Sequence, residues 1–392
     1  MKRTDWLQET RKMRFEEAFS GWQEGRLTQD EAARLLGVCG RTFRRLLSRH
    51  EESGLDGLLD KRLTQASNRR VPVDEALNVV KTYRDKHRGW NVKHFYGWYR
   101  GVYGGGRSYN WVKNTLQAGG AVAKAIRKGA HRKRRERSPL PGMMLHQDGS
   151  THEWTPNQKW DLIVTMDDAT SEHYSMFFVD EEGVNSSFRG VRETIGKHGL
   201  FSSFYSDRGS HYWITPSAGG KVDKVNLTQF GRAMKQLGVE MIAAYSPEAR
   251  GRSERAFGTH QGRLPKELAL AGITEMSAAN RYVADVYLPA FNAEFTQTAM
   301  EEGSAFVSWV GPELDEILCE QFERTVGNDN CVRFEGLTLQ IPSGKHRCHY
   351  VKAKVRVHRY CNGRMAIFHG PRKLCVYDTQ GKEIKGDNKA AA

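Results

Sequence analysis

The chain has 392 residues and a mass of 44.6 kDa, which is more than one typical hydrophobic core holds and enough for about two to four domains. Hydrophobic residues make up 39% and charged residues 27% of the chain, as in soluble globular proteins. No apolar run is long enough for a membrane span, and no signal-peptide core follows Met1-Lys2-Arg3. These features argue against a membrane partner and predict a cytoplasmic location.

The charge is unevenly distributed along the chain. The 60 Lys and Arg residues outnumber the 46 Asp and Glu residues, for a formal net charge of +14. Residues 1–138 carry +16, residues 139–320 carry -10 and residues 321–392 carry +8. This pattern favours basic ends that bind a polyanion and an acidic middle that binds cations, rather than random surface charge.

The six cysteines are scattered and form no CxxC pair, which argues against a zinc ribbon or a disulfide scaffold. Histidines and cysteines near the C-terminus also lack the spacing of a zinc finger. Structural roles are therefore favoured for His346, Cys348, His349, His358 and Cys361.

A helix-turn-helix is predicted near the N-terminus. Thr28 can cap a helix that continues to Leu36. After the turn Gly37–Gly40, a second helix carries Phe43 on its inner face, which suits two helices that cross steeply. The outward residues of the second helix are candidates for contacts in the major groove of DNA: Arg41, Thr42, Arg44 and Arg45. An ordinary helical hairpin with a solvated basic face is the alternative.

A second helical unit is a weaker candidate for binding DNA. Helices are predicted at 73–87 and 91–101, and Ser108 can cap a third helix over 109–118. Polar residues at the start and on one face of the third helix could contact DNA: Arg107, Asn110, Lys113 and Asn114. A purely structural three-helix unit is an equal alternative.

The segment Lys124–Ser138 is strongly basic, with Lys or Arg at eight of its fifteen positions. Such a density of like charge repels itself and buries no apolar surface, so it predicts a linker that orders on a phosphate backbone. A solvated spacer is the alternative. The central residues are the candidate contacts: Arg132, Lys133, Arg134 and Arg135.

Beyond Pro139, strands and helices alternate, which predicts a mixed α/β domain. Asp167 and Asp168 fall in a turn between two strands, where aspartate commonly bonds its own backbone, so structural roles are favoured for both. The predicted strands are 142–147, 161–166, 174–179, 200–206 and 240–244, and the predicted helices are 184–198, 227–237 and 251 to beyond 268.

The C-terminal part begins with a predicted helical stretch over 277–322. Strict alternation of apolar and basic residues over 351–358 then indicates a half-buried strand with a cationic outer face. Further strands near 331–334, 337–341, 364–368 and 373–377 predict a small β-barrel, followed by a disordered tail. The cationic face either touches DNA or only solubilises the domain; its residues are Lys352, Lys354 and Arg356.

Three acidic residues of the predicted core suggest a metal site. Asp148 and Asp207 each follow a predicted strand, and Glu254 lies near the start of a helix. Neighbouring strands and a helix packed beside them can bring three carboxylates together, and carboxylates in one place repel unless a divalent cation neutralises them. Two Mg²⁺ ions about 4 Å apart can activate an attacking oxygen and stabilise a leaving oxygen in phosphodiester chemistry. Glu248 precedes the helix and is a weaker candidate than Glu254.

At these residues the chain resembles the DDE transposase and retroviral integrase family, whose catalytic domain has an RNase H-like fold. Tyr245-Ser246-Pro247 and the run Gly251–Phe257 are similar to the family's segment with the catalytic glutamate. The turn Met166–Thr170 and the segment Ala279–Phe295 also resemble family segments. With the helix-turn-helix units and the small barrel, the resemblance covers nearly the whole chain and is strongest to the ISNCY-type transposases of bacterial insertion sequences.

The resemblance implies that Asp148, Asp207 and Glu254 are catalytic residues that bind Mg²⁺ or Mn²⁺, with two ions expected. The implied activity is cutting of an insertion sequence at its terminal inverted repeats and joining of the freed 3′-hydroxyl to target DNA. The implied partners are double-stranded DNA and further copies of the chain in a dimeric or larger synaptic complex, at the nucleoid of a bacterium. Arginines near the acidic centre are candidate phosphate contacts: Arg208, Arg250, Arg252 and Arg255.

The chain departs from the family in two places. The 46 residues between Asp207 and Glu254 exceed the spacing of the integrase-like subset, and a loop insertion at 212–225 can account for the excess. The position seven residues after Glu254, which is basic in many relatives, is Gln261, and Arg263 follows two residues later. The residue that holds the terminal DNA strand is therefore left open.

Two other functions are consistent with the sequence: a DNA-binding regulator with an inactive core, and a structure-specific RNase H-like nuclease that never joins ends. The predicted organisation is a helix-turn-helix domain at 1–62, a second helical domain at 70–120, a basic linker at 121–140, an α/β RNase H-like core at 141–272, a helical connector at 273–325, a small β-barrel at 326–380 and a tail at 381–392.

Overall fold

The computed structural model of the protein describes residues 3–59, 71–124, 136–217, 220–245, 251–343 and 347–384. The chain divides into two compact units, Met1–Lys81 and Thr82–Ala392. No helix in these described ranges has both the length and the apolar character that a membrane crossing requires.

The first unit is helical. Helix α1 covers Arg3–Gln23, α2 covers Gln29–Leu35 and α3 covers Gly40–Ser53, and a short 3₁₀ helix follows at Gly54–Leu58. Helix α4, Val73–Lys86, begins in this unit and ends in the next. Helix α1 was not predicted, because its apolar residues form no continuous stripe from which to read a helical period.

The predicted helix-turn-helix elements are confirmed. The Thr28 side chain accepts a bond from the backbone of Glu31, and the Glu31 carboxylate accepts one from Thr28 in return, so the start of α2 is a capping box. The turn between α2 and α3 contains Gly37 at a φ of 69°, a left-handed conformation that favours glycine. Phe43 is fully buried against residues of α1 and α2.

The second unit opens with two further predicted helices, α5 at Val92–Gly101 and α6 at Tyr109–Ala118, capped by Asn91 and Ser108. The end of α4 packs on α5 through an edge-to-face pair of Tyr83 and Phe95, whose ring centroids are 5.1 Å apart. These helices share a compact unit with the α/β part of the chain that follows.

A five-stranded mixed sheet forms the centre of the second unit. Its strands are β1 (Met144–Thr155), β2 (Gln158–Asp167), β3 (His173–Val179), β4 (Ser203–Ser206) and β5 (Glu240–Ala243), in the order β3-β2-β1-β4-β5. Strands β1, β2 and β3 are antiparallel neighbours, whereas β4 pairs in parallel with both β1 and β5. The prediction of a mixed α/β core is confirmed.

Helices cover the sheet in two clusters. Helices α7 (Val184–His198) and α8 (Gln229–Leu237) contribute to a buried cluster that includes Leu145 and Phe204. Helices α9 (Gly251–Leu270), α10 (Met276–Tyr282) and α11 (Leu288–Phe295) contribute to another cluster, with Leu162 and Val164. In β2 the residues of the second cluster are alternate positions, Trp160, Leu162, Val164 and Met166, which is the period of a pleated strand.

The predicted helical stretch over 277–322 is only partly correct. Residues 296–313 are not helical, because their backbone bonds to the core instead. Gln297 N donates to Thr170 O, and Val307 and Leu200 exchange two backbone hydrogen bonds in an isolated antiparallel β-bridge. Helix α12 is a single turn at Leu314–Ile317, and Glu320–Thr325 is strand β6.

The prediction of a C-terminal β-barrel is wrong for the described residues, which form an open sheet. Strands β9 (Lys354–Arg359), β10 (Met365–His369) and β11 (Arg372–Tyr377) join β6 in the order β11-β10-β9-β6. Strands β7 (Cys331–Phe334) and β8 (Leu337–Gln340) pair only with each other. Alternation along the sequence predicts strands, but closure of a barrel depends on pairing between distant edges.

Candidate active site

Strand register brings Asp148 and Asp207 side by side. The parallel ladder of β1 and β4 pairs Met144 with Ser203 and His146 with Tyr205. Continued for two residues beyond the ladder, this register would set Asp148 opposite Asp207, which directly follows β4. Asp148 is buried and Asp207 is partly exposed.

Helix α9 carries Glu254 along the same face of β1. Gln261 Nε2 donates to Ser150 Oγ at 2.9 Å, and Ser150 shares the face of Asp148 because it lies two residues further along the strand. Glu254 precedes Gln261 by seven residues, which is close to two full helical turns, so both belong to one face of α9. The Glu254 side chain is exposed in the first turn of the helix.

These carboxylates share a face without forming a closed ligand set. Across the described residues, which include Asp148, Asp207 and Glu254, no three or more His, Cys, Asp or Glu side chains are grouped closely enough to hold a metal ion. The assignment of the three residues as metal ligands therefore stays a prediction.

The pKa of a fully buried tyrosine, Tyr212, is affected by negative charge at this edge of the sheet. Burial raises the pKa of Tyr212 well above its usual value, and the charges of Glu182, Asp148 and Asp207 raise it further. The Tyr212 hydroxyl donates to Gln147 Oε1 at 3.0 Å and accepts a bond from Ser187 Oγ at 3.2 Å. The edge thus concentrates negative charge, which a cation would relieve.

Gln147 fixes the loop after Asp207 against β1 and α7. Its amide nitrogen donates to Thr165 Oγ1 at 2.8 Å, and its oxygen accepts from Tyr212 in that loop. Helix α7 approaches Gln147 at Gly190, where a Cβ atom would overlap the Gln147 amide. Glycine at 190 therefore permits the close packing of α7 on β1 and β2.

Sequence reasoning missed Glu182. Its carboxylate lies against Gly149, the residue after Asp148, where a Cβ atom would overlap it. Glu182 Oε1 is 3.5 Å from His211 Nε2, in the loop that follows Asp207. The acidic run 180–182 before α7 was the available signal, but nothing local connects it with residues 148 and 207.

The turn role of Asp167 is confirmed, whereas the same interpretation of Asp168 is incomplete. Asp167 Oδ2 accepts bonds from the backbone and hydroxyl of Thr170 at 2.8 and 2.9 Å, as a turn aspartate does. Asp168 is fully buried and bonds outside the turn, to His146 at 2.6 Å and to Arg252.

Two buried histidine contacts hold α9 in place. His260 of α9 lies 3.1 Å from His173 of β3, Nε2 to Nε2. Near the other end of α9, Glu267 accepts a bond from His94 of α5 at 2.6 Å, and Lys266 donates to the carbonyl of Gly89. Helix α9, which carries Glu254, is therefore bonded both to the sheet and to α5 with the segment just before it.

The predicted DNA contacts have different surroundings. On α3, Arg41, Arg44 and Arg45 are exposed and Thr42 is half-buried. Around α6, Asn110 and Asn114 are exposed, while Arg107 and Lys113 are half-buried. Lys352, Lys354 and Arg356 are exposed, although Lys354 pairs with Glu323 at 2.8 Å and Arg356 donates to the carbonyl of Gly370.

Near the acidic edge, Arg208 donates to the carbonyl of Gly220 and lies over the ring of Tyr245. Arg252 pairs with Asp168, and Arg255 is exposed. Five predicted contacts lie outside the described residues: Arg132, Lys133, Arg134, Arg135 and Arg250.

Comparison with known sequences identifies transposases as relatives. The family described as winged helix-turn-helix matches residues 21–75. The chain is 28% identical over 354 residues to the candidate transposase y4bF of Sinorhizobium fredii, an alignment that covers 88% of this chain and 76% of the relative. It is 29% identical over 203 residues to the transposase for insertion sequence IS1202 of Streptococcus pneumoniae, covering 51% and 43%.

Solved structures give weaker matches. The simian T-cell lymphotropic virus intasome in complex with PP2A regulatory subunit B56 gamma aligns at 14% identity and a TM-score of 0.35, covering 78% of this chain and 99% of that one. The HTLV-2 integrase catalytic core domain in complex with magnesium aligns at 15% identity and a TM-score of 0.30, covering 38% and 87%. Scores this low do not establish a shared fold.

Proposed function

We propose that this chain, whose transposase relatives support its membership of the DDE transposase and retroviral integrase superfamily, is itself an insertion-sequence transposase. It binds the terminal inverted repeats of its element, hydrolyses a phosphodiester at the element's end, and joins the freed 3′-hydroxyl to target DNA. The core that performs these steps is RNase H-like.

One observation carries the proposal. The register of β1 and β4, continued for two residues, supports a position of Asp148 opposite Asp207, and the bond from Gln261 to Ser150 supports a position of Glu254 on the side of α9 that meets β1. One acidic residue on β1, one directly after β4 and one in the first turn of α9 are the kinds of ligand that phosphodiester chemistry with divalent metal uses.

The donor set fits a hard divalent cation. Carboxylate oxygens are the ligands that Mg²⁺ and Mn²⁺ prefer. The charges of Asp148 and Asp207 add to the burial that raises the pKa of the neighbouring Tyr212. Mg²⁺ or Mn²⁺, two ions in all, would be held by Asp148, Asp207 and Glu254 and would supply charge neutralisation at the phosphate and activation of the attacking oxygen. The Glu254 side chain is exposed in the first turn of α9.

The chain's own residues hold the acidic edge and the DNA. Gln147 and Tyr212 keep the Asp207 loop against β1. Arg255, exposed next to Glu254, contacts the phosphate of the terminal strand. The residue that holds the terminal DNA strand, seven positions after Glu254, is Gln261 rather than Arg263. Arg263 pairs with Glu294 at 2.6 Å on the opposite side of α9, whereas Gln261 lies against β1.

DNA recognition is assigned to the two helical units and to the basic linker. The exposed arginines of α3 read the terminal repeat in the major groove, and α6 makes a second contact. Because two ends must be joined in one reaction, the active form is a dimer or a larger synaptic complex.

The test is a strand-transfer assay with the full-length protein, Mg²⁺ and duplex DNA taken from the sequence that flanks the gene. A transposase yields nicked ends and then joined product. A regulator with an inactive core would bind this DNA without nicking it, and a structure-specific nuclease would nick it without joining, so either result would contradict the proposal.

A further inference from the structure

Asp168 joins three segments of the chain that are distant in sequence. Its carboxylate is fully buried in the turn between β2 and β3. Oδ1 accepts bonds from His146 Nε2 at 2.6 Å and from the Arg252 guanidinium. Oδ2 accepts bonds from the backbone and hydroxyl of Ser138 at 2.8 and 3.1 Å. One carboxylate thus receives donors from β1, from α9 and from the segment that follows the basic linker.

The partners of Asp168 stand next to the proposed catalytic residues. His146 precedes Asp148 by two residues on the same face of β1, and Arg252 precedes Glu254 by two residues in the first turn of α9. A shift of Asp168 would therefore move the start of α9 relative to β1.

The turn itself does not need the Asp168 carboxylate. Asp167 makes the side-chain bonds that close the turn, to the backbone and hydroxyl of Thr170, and also accepts a bond from the backbone of Gly142 at 2.9 Å. Burial raises the pKa of Asp168, but the bonds from His146, Ser138 and Arg252 outweigh it and hold the pKa well below its ordinary value. Asp168 is thus a buried anion that accepts hydrogen bonds from all three of those segments.

The segment before Ser138 is bonded to the same turn. Arg137 donates to the carbonyls of Asp168 and Ala169 at 2.9 and 3.1 Å and to Ser171 Oγ at 2.9 Å. Arg252 also donates to the carbonyl of Glu136 at 2.9 Å. Residues 136–138 are therefore bonded to the start of α9 through side chains and backbone together.

We propose that Asp168 is a positioning residue of the reaction, which fixes the Glu254 end of α9 to β1 and to the chain that enters from the DNA-binding segments. The inference rests on the proposed function for its catalytic consequence. Its structural part, that Asp168 holds the start of α9, can be tested without activity.

The first measurement is hydrogen–deuterium exchange of backbone amides at 251–257 in the full-length protein. Asp168→Asn and Arg252→Gln each remove the ion pair, and exchange at 251–257 is expected to rise about 10-fold in both. Asp167→Asn is the matched control, since it alters a buried aspartate of the same turn but leaves the Arg252 pair, and its exchange at 251–257 should stay within about 2-fold of wild type.

The second measurement separates positioning from stability. Asp168→Asn and Arg252→Gln should each lower the single-turnover nicking rate about 10- to 100-fold, and Asp168→Asn should change the Kd for the flanking DNA less than about 2-fold. The double variant should lose no more than the worse single variant, because both changes break one link. Independent destabilising effects would instead multiply.

The outcomes distinguish the two proposals. Wild-type exchange at 251–257 in Asp168→Asn and Arg252→Gln would overturn the positioning role, whether or not the protein cuts DNA. If Asp168→Asn does not fold, Arg252→Gln alone decides, since it leaves Asp168 its bonds from His146 and Ser138. A wild-type chain that never nicks DNA overturns the proposed function, while the exchange measurement still tests Asp168.

Discussion

His260 of α9 and His173 of β3 form a hydrogen bond between their Nε2 atoms, 3.1 Å apart and fully buried. His173 Nδ1 donates to the carbonyl of Ser171, so its Nε2 accepts the proton of His260. His260 Nδ1 then accepts from the hydroxyl of Tyr287 at 3.0 Å. In this arrangement the bond between the two Nε2 atoms needs an unprotonated Nε2 on His173, and the bond from Tyr287 needs an unprotonated Nδ1 on His260. Protonation therefore disrupts the pair that holds α9 to the sheet.

Stability is therefore expected to fall on acidification. Burial lowers the pKa of His173 to about 4 and that of His260 well below its ordinary value, with His173 and Arg263 lowering the latter further. Between about pH 6.5 and pH 4 the unfolded chain binds protons that the folded chain excludes. The free energy of unfolding is thus greatest above about pH 6.5 and decreases below it, by up to about 1.4 kcal/mol per pH unit for each histidine.

Urea unfolding at pH 7 and pH 5 measures this effect. In His260→Gln the free energy of unfolding should fall less between pH 7 and pH 5 than in wild type. In His349→Gln, a change at an exposed histidine, the fall should equal that of wild type. Equal loss in wild type and His260→Gln would assign the pH dependence to other groups.

Two glycines of α7 provide a matched pair for the packing of that helix on β1. A Cβ atom at Gly190 would overlap Gln147 Nε2 and Thr165 Oγ1, whereas a Cβ atom at Gly196 has no neighbour within 4 Å. Gly190→Ala should lower the free energy of unfolding by about 1–3 kcal/mol. Gly196→Ala should raise it by about 0.5–1 kcal/mol, because alanine favours a helix. Thermal or urea unfolding compares them, and equal effects would refute the close approach at Gly190.

Asp148→Asn should lower the rate of nicking of flanking DNA about 10³-fold or more, which corresponds to about 4 kcal/mol in the activation barrier. Binding of that DNA should survive or tighten, because repulsion between the acidic edge and phosphate falls. Gel-shift and nicking assays measure the two effects separately. Asp315→Asn, at an exposed aspartate paired with Arg192, serves as the control. Normal nicking by Asp148→Asn would remove this residue from the active site.

Arg44→Ala and Arg45→Ala should each weaken binding to the element's ends and flatten its salt dependence. Each lost phosphate contact lowers the slope of log K against log salt by about 1. Arg281→Ala, at an exposed arginine of α10, should leave the slope unchanged. Fluorescence anisotropy over a salt series measures these slopes, and an unaltered slope in both α3 variants would exclude α3 from the interface.

Local signals predicted most of the elements. Helix α7 was predicted with both its ends, because its amphipathic period and its flanking glycines lie within the segment itself. Strand β6 was missed, since Glu320–Thr325 is largely polar and lies at the sheet edge, where it pairs only with β9. An edge strand without alternating apolar residues gives no local signal.

The candidate site was only partly predictable for a related reason. Asp148 and Asp207 stand out because each carboxylate interrupts or follows an apolar strand. Asp168 and Glu182 gain their surroundings from long-range packing: Asp168 bonds to Ser138, 30 residues before it, and to Arg252, 84 residues after it. Such contacts follow from the sheet order, which no single segment of the sequence contains.

The central claim is that Asp148, Asp207 and Glu254 bind metal together, and titration of the protein with Mn²⁺ tests it most directly. Isothermal calorimetry would compare wild type with Asp148→Asn, Asp207→Asn and Glu254→Gln. Each variant is expected to bind Mn²⁺ at least about 10-fold more weakly, since each removes one ligand of a shared site. Wild-type affinity in any one of the three would contradict the account.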